Sequence, residues 1–366
     1  MKVLHILGSA GAGGIERLVL QLIGAQAVTR EIQPGVFLAF PRGAWLDQFH
    51  GLGVPCITAG LKSGYDWRPT VFRKARRIFM DYDILHFHSF NYLLAAAAIQ
   101  SKKTIVYTEH GNFGFGRRTR LSDRVTHFLK GRFLRRDVSK MTFNSNFTAE
   151  YARKRYHLGD SRGRVVYNGV DFVKIDPRPE RVDPLIQEYI RKRFVVGTSS
   201  RFAGFKRIDR LIDGFAEFQQ GRDTVLLLVG DGPLRRELQT RVEKLGIREK
   251  VVFAGMQDNV FDYQDLMDVC VFPSRDEPFG LVVLETLFLG KPTVVFNDGG
   301  GIREIVEPAF PDDSVDGTDG LVRRLDFYLN QPEYISNTKK SRKERALEFS
   351  MVRCASQFNE VYMSVI

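Results

Sequence analysis

Short runs of consecutive apolar residues recur along the chain. Between them, apolar side chains return every three or four positions. The first pattern is that of strands buried on both faces, and the second is that of helices with one buried face. In the first half, apolar runs at residues 3–7, 35–40, 84–88, 104–108 and 140–143 predict strands, with helical spacing at 17–23 and 92–100. A turn signature, Asn168-Gly169-Val170-Asp171, ends the series, and a polar, proline-bearing stretch follows at 174–184. The alternation then restarts, with strands at 194–198, 224–229, 251–254, 269–272 and 293–296 and helices at 207–219 and 233–245. Strand-helix alternation of this kind builds a parallel sheet covered on both faces. The pattern therefore predicts an α/β chain of two Rossmann-like domains, 1–169 and 170–344. A final helical stretch, apolar at helical spacing from 341 and assigned to 345–366, completes it. Open parallel sheets bind ligands outside the carboxyl ends of their strands, so two such sheets facing across a cleft are expected to place the chemistry there.

Length and composition agree: 366 residues are enough for two domains, and 43% apolar with 27% charged residues is a globular balance. Cys56, Cys270 and Cys354 are far apart and lack metal-ligand spacing, so inert thiols in a reducing compartment are expected. No run approaches the roughly 18 apolar residues of a membrane helix. The start of the chain reads as a strand running into a glycine-rich loop rather than a signal peptide. The expectation is a soluble, cytoplasmic protein.

The strongest chemical signal is residues 274–285, Ser-Arg-Asp-Glu-Pro-Phe-Gly-Leu-Val-Val-Leu-Glu, directly after a strand. Pro278 and Gly280 predict a loop that opens a helix near Leu281. The unpaired amides and positive dipole end of that helix suit a phosphate or sugar oxygens. Glu277 before the helix and Glu285 one turn inside it are spaced to accept hydrogen bonds from a polyhydroxylated ligand. In residues 197–209, Arg201 and Lys206 follow the first strand of the second series and are placed to neutralise a diphosphate. Gly230-Asp231-Gly232-Pro233 is a strand-to-helix turn that reads equally as structural or ligand-facing. Gly11, Gly13 and Gly14 permit close backbone approach after the first strand, but the loop does not fit the dinucleotide fingerprint. His86, His88 and His110 end two strands. The His-x-His pair lacks a third ligand at a familiar spacing, so no metal is expected.

In order, Gly13 to Glu16, Asp83 to His88, Thr108 to Gly111, Asn168 to Asp171, Arg201 with Lys206, Gly230 to Pro233 and Glu277 to Glu285 resemble the family 4 retaining glycosyltransferases of GT-B architecture. The resemblance spans nearly the whole chain. It implies that Arg201 and Lys206 hold the donor diphosphate, that Glu285 binds ribose hydroxyls and that Glu277 holds the sugar hydroxyls. Backbone amides of Phe279, Gly280 and Leu281 would touch sugar or phosphate, with Gly230 among the donor-binding residues. Gly13 and Gly14 would border the phosphate, and His110 would contact the sugar. With Glu277, Arg201 and Lys206, His110 forms the expected catalytic set. The resemblance also implies retention of configuration, no metal or other cofactor, a UDP- or GDP-sugar donor, and a C-terminal helix that returns to the first domain. Arg207 departs from it, since glycine is usual after the lysine.

Charge sharpens the expectation about the acceptor. Of the net +11, residues 1–168 carry +15, from 26 basic and 11 acidic residues, and the remainder carries −4. Arg117, Arg118, Arg120, Arg124, Lys130, Arg132, Arg135 and Arg136 interleave with apolar residues at helical spacing. A second cluster is Arg68, Arg73, Lys74, Arg76 and Arg77. A basic amphipathic helix lies well on anionic lipid, at about 1 kcal/mol per near-surface charge. The expected acceptor is therefore a lipid-linked or membrane-bound glycan of cell-surface polysaccharide or glycoconjugate assembly. The protein is expected to sit peripherally on the inner membrane face and to bind no nucleic acid, whose stacking signatures are missing. The rival readings are a nucleotide-sugar epimerase of the same architecture, told apart by product analysis with and without acceptor, and a non-catalytic sugar-nucleotide-binding subunit.

Overall fold

The computed structural model describes residues 1–11, 13–29, 31–111, 121–159 and 162–366. They fall into two compact units, Met1–Val170 with Met351–Ile366, and Asp171–Ser350.

The first unit holds strands β1 (Lys2–Leu7), β2 (Gln33–Leu38), β3 (Cys56–Thr58), β4 (Ile84–Phe87), β5 (Thr104–Glu109), β6 (Lys140–Phe143) and β7 (Gly163–Val165). They form one parallel sheet in the order β3-β2-β1-β4-β5-β6-β7. The order reverses between β1 and β4, where His5 lies opposite His86. Both faces are covered, which is why the central strands read as unbroken apolar runs. On one face Phe37, Phe79, Phe87 and Phe133 share a cluster; on the other, Val3, Leu18, Leu22 and Ile84 do. Strands β3 and β7 escape prediction because each has only three residues, all half-buried.

The second unit holds β8 (Phe194–Ser199), β9 (Thr224–Val229), β10 (Val251–Gly255), β11 (Val269–Phe272), β12 (Thr293–Phe296) and the two-residue β13 (Ser314–Val315). All are parallel, in the order β10-β9-β8-β11-β12-β13. The order reverses between β8 and β11, so the loops after these two strands flank the crevice where open α/β sheets bind ligands.

The C-terminal stretch differs from expectation. It is two helices, not one, and the last begins at Met351 rather than 345. Lys339–Leu347 belongs to the second unit and Met351–Met363 to the first. Between them the Met351 amide bonds to Val170 O at 2.9 Å. No glycine or proline marks this break. The last helix buries Met351, Cys354, Phe358, Val361 and Tyr362 among Val3, Leu18, Leu22 and Ile84. Among the described residues no helix is long and apolar enough to cross a membrane.

Phe358 is fully buried in that cluster. Phe358→Ala is expected to cost about 3–5 kcal/mol. Both tryptophans, Trp45 and Trp67, lie in the first unit, so the urea midpoint of tryptophan fluorescence reports this unit. A midpoint unchanged from wild type would mean that the last helix is not part of the core.

Candidate functional site

In the second unit, the loop after β8 closes with a single turn, Gly204–Lys206. Lys206 Nζ lies 2.7 Å from Glu277 Oε2, and both side chains are nearly enclosed, at 15% and 11% exposure. Glu277 is held by its backbone: its amide bonds to Gly299 O at 2.9 Å, and its carbonyl accepts from the Gly301 amide at 2.7 Å. Gly300 between them has φ +72°, and a Cβ there would sit 2.8 Å from Glu277 O. After Glu277 the chain turns at Gly280, φ +90°, where a Cβ would overlap Ile302 at 2.4 Å. The helix Leu281–Phe288 opens there, as expected. Its first-turn amides have no carbonyl to pair with inside the helix. The Phe279 ring is buried near Phe349, which leaves its backbone as the part near the helix opening. Glu285 is buried at 3% exposure and is not a solvated surface charge.

Asp298 ties these loops together. Its carboxylate accepts from Arg210 at 2.7 and 2.5 Å and from Arg275 at 2.8 Å. The Arg210 hydrogen bonds above all hold it down at about 2. Arg275 N donates to Phe205 O at 2.8 Å, and Asp276 N to Asp298 O at 2.9 Å. The loops after β8, β11 and β12 are thus mutually fastened. Only a turn signature marks Asp298 in the sequence, because its arginine partners are 88 and 23 residues away.

The Gly-Asp-Gly turn, which carries Gly230, is tightly packed. A Cβ on Gly230, φ +129°, would lie 2.0 Å from Ser200 O, and one on Gly232 would lie 2.5 Å from Phe202 O. Phe202 N donates to Asp231 O at 2.9 Å, and Leu234 N to Phe202 O at 3.2 Å. This turn therefore clamps the segment that carries Arg201. Arg201 itself is exposed and has no carboxylate partner among the described residues. Arg207, where the resemblance expects glycine, is left-handed at φ 48°, the conformation glycine adopts most easily. Its guanidinium bonds both Asp209 oxygens, at 2.8–3.1 Å.

In the first unit, Ala12 lies outside the described residues, and Gly14 opens the helix Gly14–Thr29. A Cβ on Gly13 would meet Glu16 Oε2 at 2.5 Å, whereas one on Gly14 would face open space. His110 is buried, with Nε2 3.1 Å from His88 Nδ1. His88 Nε2 lies 3.0 Å from His5 Nδ1. His86 turns instead to Tyr362 and Thr108, at 2.7 and 2.6 Å. His5 is the third imidazole that linear spacing could not supply. It comes from the neighbouring strand, and pairing β1 with β4 would have found it. One ring nitrogen from each of His5, His86 and His88 lies within 4.8 Å of the other two, a spacing a metal ion can bridge. All six ring nitrogens of these residues already have hydrogen-bond partners. Burial pushes His5 down to about 4 and His110 to about 3, and holds His86 and His88 well below the usual imidazole range.

The expected basic face needs one correction. Arg117, Arg118 and Arg120 lie outside the described residues. On the helix Leu121–Arg136, Arg124 and Arg132 are exposed, together with Val125 and Phe128. Lys130 turns inward: Nζ lies 2.6 Å from Glu109 and about 5 Å from the Tyr107 and Tyr156 rings. Burial alone would lower its pKa, but the Glu109 charge and hydrogen bond, together with the Tyr107 and Tyr156 rings, outweigh that and hold it well above the usual lysine range. Lys130 is thus an internal ion-pair partner, not part of a surface patch. In the second cluster Arg68 is paired with Asp66 at 2.6 Å. Arg73, Lys74, Arg76 and Arg77 are exposed on the helix Pro69–Phe79, and Arg76 and Arg77 complement the negative end of its dipole.

Two expectations follow. Left-handed geometry costs an ordinary residue roughly 1–2 kcal/mol, and the half-exposed Arg207–Asp209 pair returns at most about 1 kcal/mol. Arg207→Gly should therefore leave stability within about 1 kcal/mol of wild type, while Arg207→Val lowers it clearly; equal melting temperatures for the two variants would contradict the strain. Separately, imidazoles buried as neutral rings take up fewer protons folded than unfolded. Their stabilising effect is complete above pH 6.5 and is lost as the pH falls toward about 4. The urea midpoint of the first unit should fall steadily over that window; a flat profile would show the rings to be solvated.

Two family models match the chain, "Glycosyltransferase Family 4" over residues 12–174 and "Glycosyl transferases group 1" over residues 186–345. The chain is 31% identical over 170 residues to N-acetyl-alpha-D-glucosaminyl L-malate synthase of Bacillus anthracis, a match covering 46% of this chain and 44% of that protein. It is 27% identical over 207 residues to alpha-D-kanosaminyltransferase of Streptomyces kanamyceticus, covering 56% and 51%. The chain thus spans about half the length of these curated relatives. The crystal structure of Anabaena Alr3699/HepE in complex with UDP superposes over the whole of both chains, with a TM-score of 0.82 at 21% identity, and shows the fold to be GT-B. With one family model on each α/β unit, the chain belongs to the family 4, or group 1, glycosyltransferases.

Proposed function

We propose that this chain transfers a hexose-type sugar from a nucleotide-diphosphate donor to an acceptor hydroxyl, with retention of anomeric configuration. The observation that carries this reading is the enclosed Lys206–Glu277 pair beside the open amide end at Leu281. It sets a cation and a carboxylate side by side in the loops that lead to the amide end of a helix. In the reaction, the acceptor oxygen bonds to the anomeric carbon on the face from which the diphosphate departs. The carbon–oxygen bond to phosphate breaks with its electron pair on the nucleoside diphosphate, and the acceptor proton passes to a phosphate oxygen.

Each residue then has a task. Lys206 and Arg201 take up the charge that develops on the leaving group, in an enclosed site where such stabilisation is strong. The amides of Phe279, Gly280 and Leu281 add the dipole end of the helix. Glu277 grips sugar hydroxyls and Glu285 the ribose hydroxyls, both as acceptors. In the first unit, Gly14, open to solvent space, lets phosphate approach beside Gly13, and His110 contacts the sugar. The donor is a UDP- or GDP-sugar, and no metal is assigned a role. The acceptor is a lipid-linked or membrane-bound glycan, and the protein works at the inner membrane face. This part is supported by the exposed Arg124 and Arg132 with Val125 and Phe128 on one helix.

Lys206→Ala and Glu277→Ala are each expected to cut turnover with a UDP- or GDP-sugar by at least about tenfold, roughly 1.4 kcal/mol of barrier. Removing either partner leaves the other charge enclosed and unpaired, so the double variant should lose less than the product of the two single losses. Wild-type turnover in either single variant refutes the role of that residue. For the membrane half, Arg124→Glu with Arg132→Glu should reduce sedimentation with phosphatidylserine-containing vesicles, most visibly at low salt. Equal sedimentation of variant and wild type would remove lipid from the account.

A further inference from the structure

The contacts of His110 do not stop at His88. From His110 Nε2 they run to His88 Nδ1 at 3.1 Å, and from His88 Nε2 to His5 Nδ1 at 3.0 Å. From His5 Nε2 they continue to Gln26 Oε1 at 2.9 Å. Gln26 Nε2 reaches Asn359 Oδ1 at 3.2 Å, and Asn359 Nδ2 reaches Glu31 Oε2 at 3.2 Å. This row starts after β5, crosses β4 and β1, passes through the helices Gly14–Thr29 and Met351–Met363, and ends at an exposed carboxylate. His5, His88 and Gln26 are all buried.

A neutral imidazole has one N–H and one bare nitrogen, so a row of them has only two consistent directions. The far end selects one. The Glu31 carboxylate only accepts, so Asn359 turns its NH2 toward Glu31 and its carbonyl toward Gln26. Gln26 must then donate to that carbonyl, and its own carbonyl faces His5. Gln26 also hydrogen-bonds Tyr362, whose hydroxyl lies 2.7 Å from His86 Nδ1. His5 donates from Nε2 and is bare at Nδ1, which accepts from His88 Nε2. His88 is bare at Nδ1, which accepts from His110 Nε2. What remains is a bare His110 Nδ1, and that atom is buried without a hydrogen-bond partner among the described residues. The opposite direction would set the Asn359 carbonyl against the Glu31 carboxylate, or leave two amide groups facing like to like. The first forfeits the hydrogen bond at the exposed Glu31 end, and the second the part-buried one between Gln26 and Asn359. Burial also keeps the rings neutral, so the row is not broken by a second proton.

We propose that Gln26, His5 and His88 are positioning residues that lock His110 into the tautomer with a bare Nδ1, so that His110 is an acceptor reserved for a hydroxyl of the bound sugar. The proposal rests on the donor-sugar reading of His110 given above. It makes His110 selective: a free hydroxyl satisfies the bare nitrogen, and an O-methyl or keto group at the same place leaves it unpaired. It also makes a surface carboxylate, remote in the row, the element that sets the proton position at the site.

The test uses the full chain labelled with 15N-histidine, without ligand, and long-range 1H–15N spectra that tell the two neutral tautomers apart. The His110→Gln variant identifies the His110 signal. Wild type should show His110 as a single neutral form carrying its proton on Nε2, unchanged between pH 6 and 8. Gln26→Leu cuts the row and should give a mixture of tautomers. Glu31→Lys replaces an acceptor by a donor at an exposed position and should move His110 toward the Nδ1–H form. A wild-type His110 protonated on Nδ1, or one indifferent to both substitutions, overturns the relay. Donor affinity is measured on the same samples. If the tautomer moves while affinity for UDP- and GDP-sugars stays within twofold, the relay stands and the sugar-binding role of His110 is overturned.

Discussion

The second unit is organised around one electrostatic constraint: a lysine and a glutamate, 71 residues apart in the chain, held 2.7 Å from each other with little access to water. Two charges taken out of water are costly unless each is paired and well placed. The surrounding loops meet that demand with backbone. Glu277 is pinned between Gly299 and Gly301, Gly300 must lack a side chain, and Gly280 must turn left-handed before the helix can open. The Asp298 carboxylate then joins the three loops through Arg210 and Arg275. Preorganisation of this kind makes charge stabilisation strong at the moment of bond breaking, because little has to reorient.

Much of this was legible in the chain. Strand positions in both sheets followed from apolar runs, and several boundaries, including Lys140–Phe143, Thr224–Val229 and Val269–Phe272, agree to the residue. Parallel, doubly covered sheets make this easy, since each central strand is apolar throughout. The helix start at Leu281 was also readable, because Pro278 and Gly280 have local conformational meaning. What could not be read depends on pairing across distance. Nothing local points Asp298 or His5 to its partners, and only the order of strands brings them together. The break before Met351 has neither glycine nor proline and is set by where the last helix finds its core. Lys130 looked like one more charge on a basic stretch, and only the Glu109 carboxylate behind it explains why it turns inward. Arg207 shows the converse: an unusual residue accepted at a glycine-like position because Asp209 fastens it there.

The first unit follows a different logic. Its central strands carry a hydrogen-bonded row of neutral imidazoles within a parallel sheet, and burial, not pairing with acids, keeps those rings uncharged. The row needs the final helix, because Asn359 and Tyr362 belong to it. The packing of that helix on Val3 and Leu18 is therefore also what completes the polar row.

The central claim concerns where the charge of the leaving group is met. A crystal structure of the chain with a bound UDP- or GDP-sugar measures it directly. The pyrophosphate is expected within hydrogen-bond reach of Arg201, Lys206 and the amides at Gly280 and Leu281, with Glu277 on sugar hydroxyls and Glu285 on the ribose. A pyrophosphate bound elsewhere, with Lys206 and Glu277 still paired and untouched, would contradict it.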